Sequence, residues 1–393
     1  MKETLYKFNP WWEGEYTSNS ITREKYLHTL ISSLDKKNIV FLIGLRRVGK
    51  TTLIRQLIEH LLKKIESKNI LYISCEHPVF ENKTLIEIVD EYRSIFHKGR
   101  HEKIYVFFDE VQLKEQFNRD LKILFDHDKE IKIFCSGSSA TILKDKKAYL
   151  TGRQKTIEVE PLDFNEYLLF KSINVKESEE YQYKELFIDY LKDGGMPEYI
   201  LNKDAEYLLD LADTIIYKDI VSFYGLKNPK LVRELFVLLC ERVGKPLSYN
   251  KLAKILGLSV DTVSQYVSYF ESSFLIYIVH KHSKSLNERI RAGKKVYIAD
   301  IGIRNLLVGF RDLGAIFENL VFLKIKHLNP SFYYENMREI DFIIKEKDLA
   351  IESKFKEKIE EGELETLNKS KFKNKLVVND YKFFLDDKNK LLS

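Results

Sequence analysis

The sequence predicts an α/β protein built on a parallel sheet. Apolar runs of strand length recur within the first 160 residues, and most are separated by segments whose apolar residues have helical spacing. Such alternation builds a parallel sheet with helices on both faces, and phosphate-binding loops lie at the strand ends of such sheets. The predicted strands are 39–43, 69–74, 103–108, 130–135 and 154–160.

Length and composition narrow the class of protein. The chain has 393 residues, which suggests two to four domains, and its 44% hydrophobic content suits packed cores. No apolar run reaches the roughly 18 residues of a membrane span, and the first residues lack a signal-peptide core. We therefore expect a soluble cytoplasmic protein without a membrane partner. Cys75, Cys135 and Cys240 lie in apolar runs and are expected to be buried and reduced.

The first predicted strand leads into the pattern Gly-x-x-x-x-Gly-Lys-Thr, from Gly44 to Thr51. The glycines let the backbone turn its N–H groups toward an anion, and the next helix adds the positive end of its dipole. Lys50 can reach the β- and γ-phosphates, and Thr51 can offer its hydroxyl to Mg²⁺. The predicted nucleotide contacts of this loop are Gly44, Arg46, Arg47, Val48, Gly49, Lys50, Thr51 and Thr52.

The third and fourth predicted strands end in polar residues that can serve the same loop. Asp109 follows the third strand and is placed to hold Mg²⁺ through water, while Glu110 is placed to orient or deprotonate an attacking water. The fourth strand leads into Ser136-Gly-Ser-Ser. Here the hydroxyl of Ser136 or Ser138 either senses the γ-phosphate or caps a helix, and both readings stay open.

The order of these motifs resembles that of AAA+ ATPases. The glycine loop, Phe-Phe-Asp-Glu at 107–110, Ser-Gly-Ser-Ser at 136–139 and Thr-Gly-Arg at 151–153 follow one another along the chain. The loop is similar to the Gly-x-Arg-Arg-x-Gly-Lys-Thr loop of a prokaryotic AAA+ group. The resemblance implies a P-loop NTPase core with a helical lid, ATP and Mg²⁺ as cofactors, ATP hydrolysis, and a homo-oligomer or nucleotide-dependent assembly. It also implies that Arg153 is an arginine finger for a neighbouring subunit, the alternative being a surface arginine.

Two local patterns predict the organisation after the core. Gly194 and Gly195, followed by a proline, predict a turn and a hinge within the lid. Further on, the spacing of Ala253, Gly257 and Val263 is that of a helix-turn-helix. Strands at 274–278 and 295–298 flank a basic loop and complete a winged helix. The expected core positions of the two helices are Leu252, Ala253, Ile255, Leu256, Val260, Val263, Val267 and Phe270.

The basic loop predicts contact with nucleic acid, because clustered cations attract phosphate. Gln265 on the second helix can pair with adenine, but Asp261 on the same face would repel phosphate. The alternative is packing against the ATPase or a protein partner. The predicted DNA contacts are Gln265, Lys281, Lys284, Arg289, Arg291, Lys294 and Lys295.

The last part of the chain predicts a small α/β module with a candidate metal site. Asp341 and the run Glu352-Ser-Lys354 lie on adjacent predicted strands, so two carboxylates and an amine meet at one point. The carboxylates can bind Mg²⁺, with Glu318 as a further ligand, and Lys354 can orient water. The pattern resembles the PD-(D/E)XK, or restriction-endonuclease-like, fold that is often joined to AAA+ proteins of this group. The alternative is an ordinary strand edge with charged residues.

These observations predict five regions and three candidate functions. The regions are an N-terminal arm (1–20), a nucleotide-binding core (21–160), a helical lid (161–228), a winged helix-turn-helix (229–312) and a nuclease-like domain (313–393). The leading hypothesis is an ATPase whose nucleotide state moves the later modules on nucleic acid. The second is a nucleotide-dependent signalling or scaffold switch that acts through protein contacts, with an inactive nuclease-like domain. The third is an ATP-regulated nuclease.

Overall fold

The computed structural model describes residues 1–138, 150, 152–283, 293–335 and 338–385. The chain divides into two compact units, residues 1–160 and residues 161–393, and each is described by itself.

The first unit is built on a parallel sheet. Its described strands are ordered β2-β3-β4-β1-β5, and every neighbouring pair is parallel. The inner strands are buried along almost their whole length, as expected when helices cover both faces. The predicted parallel sheet is therefore present. The strands are β1 (Ile39–Ile43), β2 (Ile70–Ser74), β3 (Ile104–Asp109), β4 (Ile131–Gly137) and β5 (Gln154–Glu158).

Each described helix of this unit buries apolar side chains. The α4 helix begins with a reciprocal capping box between Thr84 and Glu87, which satisfies backbone N–H groups of its first turn. The described helices are α1 (Lys2–Phe8), α2 (Glu24–Ile31), α3 (Lys50–Leu62), α4 (Leu85–Ile95) and α5 (Phe117–His127).

The N-terminal segment covers the edge strand β2. The Asn9 side chain accepts a hydrogen bond from the Tyr72 backbone N–H (2.6 Å) and donates one to the Tyr72 carbonyl (2.8 Å). The indole N–H groups of Trp11 and Trp12 both donate to the Ile70 carbonyl, at 3.3 and 2.9 Å. An edge strand offers unpaired backbone groups, and this segment satisfies them. The residues predicted as a separate arm are thus part of the first unit.

The structure describes the surroundings of all three cysteines and the length of each described helix. Cys75, Cys135 and Cys240 are all buried and unpaired, as predicted. Within the described ranges, none of the helices has the length and the apolar character that crossing a bilayer requires.

The second unit begins with helices, and its double glycine is tightly packed. Gly195 is buried and its N–H donates to Asp300 Oδ2 at 2.7 Å. A Cβ atom on Gly195 would lie 2.2 Å from the Leu162 carbonyl oxygen, so only glycine fits. The predicted turn at Gly194 and Gly195 is present, and the hinge stays a prediction. The elements are α6 (Phe164–Phe170), α7 (Gln182–Asp193), α8 (Pro197–Asn202), α9 (Ala205–Thr214) and a π-helix (Ile215–Ser222).

Residues 229–312 contain a pair of short helices and a small sheet. Gly257, with φ of +64°, makes the turn between the two helices, and the Ser259 side chain caps the second. Ile255 (57% exposed) and Val260 (41% exposed) lie at this turn on the surface, so their predicted core positions are wrong. The sheet order is β6-β8-β7. The elements are α10 (Pro229–Cys240), β6 (Pro246–Leu247), α11 (Tyr249–Leu256), α12 (Val260–Ser272), β7 (Ile276–His280), β8 (Lys294–Ile298) and α13 (Ile301–Val308).

The last part of the second unit is a helix followed by a mixed sheet. The strand order is β12-β11-β10-β9, in which β11 pairs antiparallel with β10 and parallel with β12. Ile340, Ile343, Ala350 and Leu367 form a buried apolar cluster beneath the sheet. The elements are α14 (Leu313–Ile325), β9 (Ser331–Glu335), β10 (Arg338–Ile344), β11 (Leu349–Ser353), α15 (Glu365–Lys369), β12 (Asn374–Val378) and α16 (Lys382–Leu385).

Candidate nucleotide-binding site

The glycine loop joins β1 to α3 and has the shape that the sequence predicts. Gly44 has φ of +139°, and a Cβ atom there would lie 2.2 Å from the Val159 carbonyl oxygen. Gly49 has φ of +97° immediately before α3 begins at Lys50. Both glycines are therefore required by the backbone conformation, and Gly44 also by close packing. The α3 N-terminus lies at the end of this loop, where its N–H groups and its dipole favour an anion.

Arg23, upstream of the loop, hydrogen-bonds the loop backbone. It is 3% exposed, and its guanidinium donates to the Val48 carbonyl at 2.8 Å and to the Glu160 carbonyl at 2.9 Å. A planar guanidinium can bridge two carbonyls with fixed geometry. The loop is thus fixed before any ligand binds. The sequence contains no motif that marks Arg23, because it lies upstream of the loop and contacts it through backbone oxygens.

The Lys50 ammonium lies inside the loop. Its Nζ donates to the Gly44 and Leu45 carbonyls, both at 2.9 Å, and the side chain is buried. A buried lysine held by the loop carries its charge into the place where a phosphate would be cradled. Three other residues predicted as nucleotide contacts lie in or next to the loop. The Arg46 guanidinium lies 3.8 Å from the Glu76 carboxylate, and Arg47 has a left-handed backbone with φ of +64°. Thr52 is half-buried in the first turn of α3.

Three hydroxyls converge on the Asp109 carboxylate at the end of β3. Thr51 Oγ1 donates to Asp109 Oδ2 at 2.7 Å, Tyr72 Oη donates to the same oxygen at 2.8 Å, and Ser136 Oγ donates to Oδ1. Burial, followed by the charge of Asp109, raises the pKa of Tyr72 well above its ordinary value, so the phenol stays protonated and donates. A carboxylate beside a threonine hydroxyl is an oxygen donor set that suits Mg²⁺. These residues therefore fit the ion that the loop implies.

Glu110 follows Asp109 in a left-handed backbone conformation, with φ of +53°. Such a conformation is uncommon for a residue other than glycine and is often found at functional sites. Its N–H donates to Ser136 Oγ at 3.2 Å, and its carboxylate accepts from Gln112 and from Ser138 Oγ, the latter at 3.3 Å. The surrounding side chains thus fix the direction of this carboxylate.

Ser136 links the two acids at the end of β3. The residue belongs to β4 and is fully buried, and its hydroxyl both donates to Asp109 and accepts from the Glu110 amide. The Ser138 hydroxyl contacts the Glu110 carboxylate. The two roles expected of these hydroxyls, sensing the γ-phosphate and capping a helix, stay predictions.

Arg153 precedes β5 and is paired within the chain. Its Nε and Nη2 atoms lie 2.9 and 3.4 Å from the two carboxylate oxygens of Asp126 at the end of α5. Both side chains are about one-third exposed. An ion pair of this kind contributes at most about 1 kcal/mol, so Arg153 can be released from it at small cost. The arginine-finger role stays a prediction.

The predicted nucleic-acid contacts are only partly exposed. Gln265 lies on the surface of α12, where its Nε2 donates to Tyr269 Oη at 2.6 Å. The Lys294 ammonium lies 4.9 Å from the centroid of the Tyr249 ring, and Lys281 pairs through its backbone N–H with the Gly293 carbonyl. Lys284, Arg289 and Arg291 lie outside the described residues.

Lys295 is buried, and its predicted role as a DNA contact is wrong. The side chain is 1% exposed, and its Nζ lies 2.9 Å from Glu318, 2.5 Å from Glu339 and 4.0 Å from Asp341. Burial opposes the charged ammonium, but the charges of Glu318, Asp341 and Glu339 outweigh it and raise the pKa of Lys295. The ammonium thus faces carboxylates inside the protein and is withheld from a phosphate backbone.

The metal site predicted at Glu318, Asp341 and Glu352 does not fit a divalent cation in this structure. Glu318 accepts from Lys295, and Glu352 lies 2.7 Å from the Lys354 ammonium. Burial, followed by the charge of Asp341, raises the pKa of both Glu318 and Glu352 to about 7. Across the ranges that the structure describes, no three His, Cys, Asp or Glu side chains are arranged to hold a metal ion.

Comparisons with known proteins agree with the geometry of the glycine loop. A family model described as an AAA domain matches residues 36–168, and a model described as a domain of unknown function, DUF8612, matches residues 184–314. The uncharacterized protein MJ1544 of Methanocaldococcus jannaschii is 30% identical over 330 residues, which cover 78% of this chain and 72% of that protein. The chain belongs to the AAA-domain family.

Other relatives of this AAA protein extend over most of its length. An uncharacterized protein of Haemophilus influenzae is 29% identical over 384 residues, covering 92% of this chain and 94% of that one. Among solved structures, the Walker-type ATPase PABY2304 of Pyrococcus abyssi is 17% identical, with a TM-score of 0.47. That match covers 76% of this chain and 99% of the other.

Proposed function

We propose that this AAA protein binds ATP with Mg²⁺ at the glycine loop and hydrolyses it. The observation that carries the proposal is the convergence of Lys50, Thr51, Asp109 and Glu110 after β1 and β3, two parallel strands that β4 separates in the sheet. The Thr51 hydroxyl and the Asp109 carboxylate lie 2.7 Å apart, and the Lys50 ammonium is held by the loop itself. Substitution of Lys50 and of Glu110, taken up in the Discussion, tests binding and hydrolysis separately.

Each residue has a distinct role in this proposal. The loop N–H groups and Lys50 bind the phosphates, and Thr51 and Asp109 supply the oxygen atoms that hold Mg²⁺. An Mg²⁺ ion held by these oxygens would neutralise charge that develops on the phosphate oxygens. Glu110 orients the attacking water and accepts its proton, and Ser136 holds Asp109 and Glu110 in register. Arg153 of a neighbouring copy supplies further positive charge to the transition state.

The proposal extends to the second unit through its predicted regions. Residues 161–228 serve as the helical lid, residues 229–312 as a winged helix, and residues 313–393 as a nuclease-like module. In the leading form of the proposal, the nucleotide state controls how the basic loop near Lys281 and Lys294 contacts DNA. Such contact is sequence-tolerant because it depends on phosphate charge.

A second candidate function is a nucleotide-dependent switch that acts through protein contacts. Two observations favour it. Lys295 is withdrawn from the surface, which leaves fewer cations for phosphate. Ile255 and Val260 expose apolar side chains at the turn between α11 and α12, where a DNA-binding helix pair would present polar groups.

Salt dependence separates the two functions. If the leading proposal holds, binding of generic duplex and single-stranded DNA weakens steeply with salt, because binding releases condensed counterions. Lys281→Ala and Lys294→Ala should each lower the logarithmic salt slope by about one. Fluorescence anisotropy with labelled DNA from low to physiological salt measures this. Absence of binding at low salt would favour the protein-contact function.

Arg153→Ala tests the proposed assembly. We expect turnover to fall by roughly 10³-fold while ATP binding is retained, because a finger acts on the transition state. Asp126→Ala is the matched control: it removes the in-chain partner of Arg153 but leaves the guanidinium, so turnover should stay near wild type. Phosphate release and nucleotide binding are measured for both variants.

Mixing two inactive variants makes the Arg153 test more specific. A subunit carrying Glu110→Gln still offers Arg153 to its neighbour, and a subunit carrying Arg153→Ala still has Glu110. An equimolar mixture should therefore recover part of the turnover that each variant lacks alone. Wild-type turnover of Arg153→Ala, or an equal loss in Asp126→Ala, would contradict the finger role.

A further inference from the structure

A buried lysine lies among the carboxylates of the nuclease-like module. Lys295 comes from β8, whereas the carboxylates around it come from α14 and β10, later in the chain. Its Nζ is within 4.0 Å of Glu318, Glu339 and Asp341. Buried charges persist only when they are paired, because an isolated ion loses its hydration without compensation. The lysine therefore supplies the positive charge that this cluster requires.

Neighbouring contacts hold the lysine in place. Tyr297 lies two residues further on the same face of β8, and its hydroxyl donates to the same Glu318 oxygen at 2.6 Å. Asn319, next to Glu318 on α14, pairs its side chain with both the N–H and the carbonyl of Ile298, at 2.7 and 2.8 Å. The strand that carries Lys295 is thus fixed to the helix that carries Glu318.

The remaining acids of the cluster have partners within the chain. Asp341 Oδ2 accepts from the Ser353 N–H at 2.8 Å and from the Ser353 hydroxyl at 2.7 Å. Glu352 Oε1 lies 2.7 Å from the Lys354 ammonium, while Glu352 Oε2 is buried and has no hydrogen-bond partner among the described residues. A divalent cation prefers several carboxylate and water oxygens around one point. Here the Lys295 ammonium lies among Glu318, Glu339 and Asp341.

We propose that Lys295 takes the place of the divalent cation in this nuclease-like module, so that the folded chain has no metal-dependent cleavage site there. The ammonium neutralises Glu318, Glu339 and Asp341 and joins β8 to the C-terminal sheet. The cluster therefore acts as a structural joint between residues 229–312 and residues 313–393. This inference concerns the second unit and does not depend on ATP hydrolysis.

Metal binding to the unaltered cluster gives the first test. Mn²⁺ is titrated into the full chain without nucleotide, and bound ion is measured by paramagnetic resonance and calorimetry. Wild type and Asp341→Asn should bind the same amount, because Asp341 holds no metal ion. A Mn²⁺ ion that binds wild type and is lost in Asp341→Asn would overturn the proposal.

Removal of the lysine gives the second test. Lys295→Met keeps the length of the side chain but removes its charge, so the carboxylates should now take up one additional Mn²⁺. The same ion should raise the midpoint of thermal unfolding of this variant, and adding Asp341→Asn should abolish both effects. Lys294→Met, on the opposite face of β8, is the matched control and should bind Mn²⁺ as wild type does.

A folded Lys295→Met chain that gains no Mn²⁺ would overturn the substitution of ammonium for metal. If Lys295→Met does not fold, as near-ultraviolet circular dichroism would reveal, the comparison of wild type with Asp341→Asn still decides whether the cluster binds metal. Unchanged ATP turnover in Lys50→Ala would refute the ATPase proposal but leave all these Mn²⁺ outcomes as they are, so failure of the ATPase proposal is distinguishable from failure of this one.

Discussion

Lys50→Ala should abolish ATP binding and ATP turnover. The ammonium is buried in the loop, where it donates to the Gly44 and Leu45 carbonyls, and alanine leaves no charge at that position. A charge-assisted hydrogen bond contributes about 1.5–3 kcal/mol, so losing two such bonds to phosphate lowers affinity by roughly 10²-fold or more. Calorimetry with ATP and Mg²⁺ and a phosphate-release assay measure both effects.

The control for this substitution lies on the same segment. Lys64→Ala removes an exposed lysine just beyond the end of α3 and should leave binding and turnover unchanged. Thermal unfolding of both variants checks that the fold is retained. Unchanged ATP turnover in Lys50→Ala would refute the assignment of the site.

Glu110→Gln should separate binding from hydrolysis. Glutamine keeps the size of the side chain and can still contact Gln112 and Ser138, but it cannot accept the proton of the attacking water. Because a positioned base contributes about 10²–10⁴-fold to a rate, turnover should fall by roughly 10²-fold or more while the affinity for ATP stays near wild type. Single-turnover hydrolysis and calorimetry provide the two measurements.

Glu115→Gln provides the matched comparison for Glu110→Gln. Glu115 is an exposed acid a few residues further along the same loop, and its substitution should leave turnover unchanged. Since Glu110→Gln traps bound ATP, light scattering during size exclusion with this variant also reports whether ATP assembles the chain. Turnover at the wild-type rate in Glu110→Gln would remove its proposed role as the base.

The parallel sheet and the centre of the nucleotide site could be predicted because each rests on local sequence. Runs such as the one before Gly44 are apolar throughout, which is typical of a strand that is buried on both faces. The glycine loop needs particular residue types at fixed spacing, so the motif alone is enough to single out Lys50 and Thr51 as candidate phosphate and Mg²⁺ ligands. Asp109 and Glu110 follow from the way parallel strands bring their ends to one edge.

The supporting contacts could not be predicted, because they join segments that are distant along the chain. Tyr72 reads as an ordinary strand residue, and its hydroxyl reaches Asp109 only because β2 lies beside β3. The sequence predicts Lys295 as a surface cation because it belongs to a run of positive charges. Such a run does not reveal that the folded chain places carboxylates around one of its members. Ile255 and Val260 follow helical periodicity, but they lie beside the turn between α11 and α12, where both side chains are exposed.

The docking of the N-terminal segment on β2 has a practical consequence for recombinant work on this protein. A truncated version that begins at residue 21, or at residue 36 where the family model starts, would lack Asn9, Trp11 and Trp12. The backbone of β2 would then be bare along one side and able to pair with another molecule, a common cause of aggregation. Since the Tyr72 hydroxyl also donates to Asp109, such a truncation would disturb the proposed Mg²⁺ ligands as well as solubility.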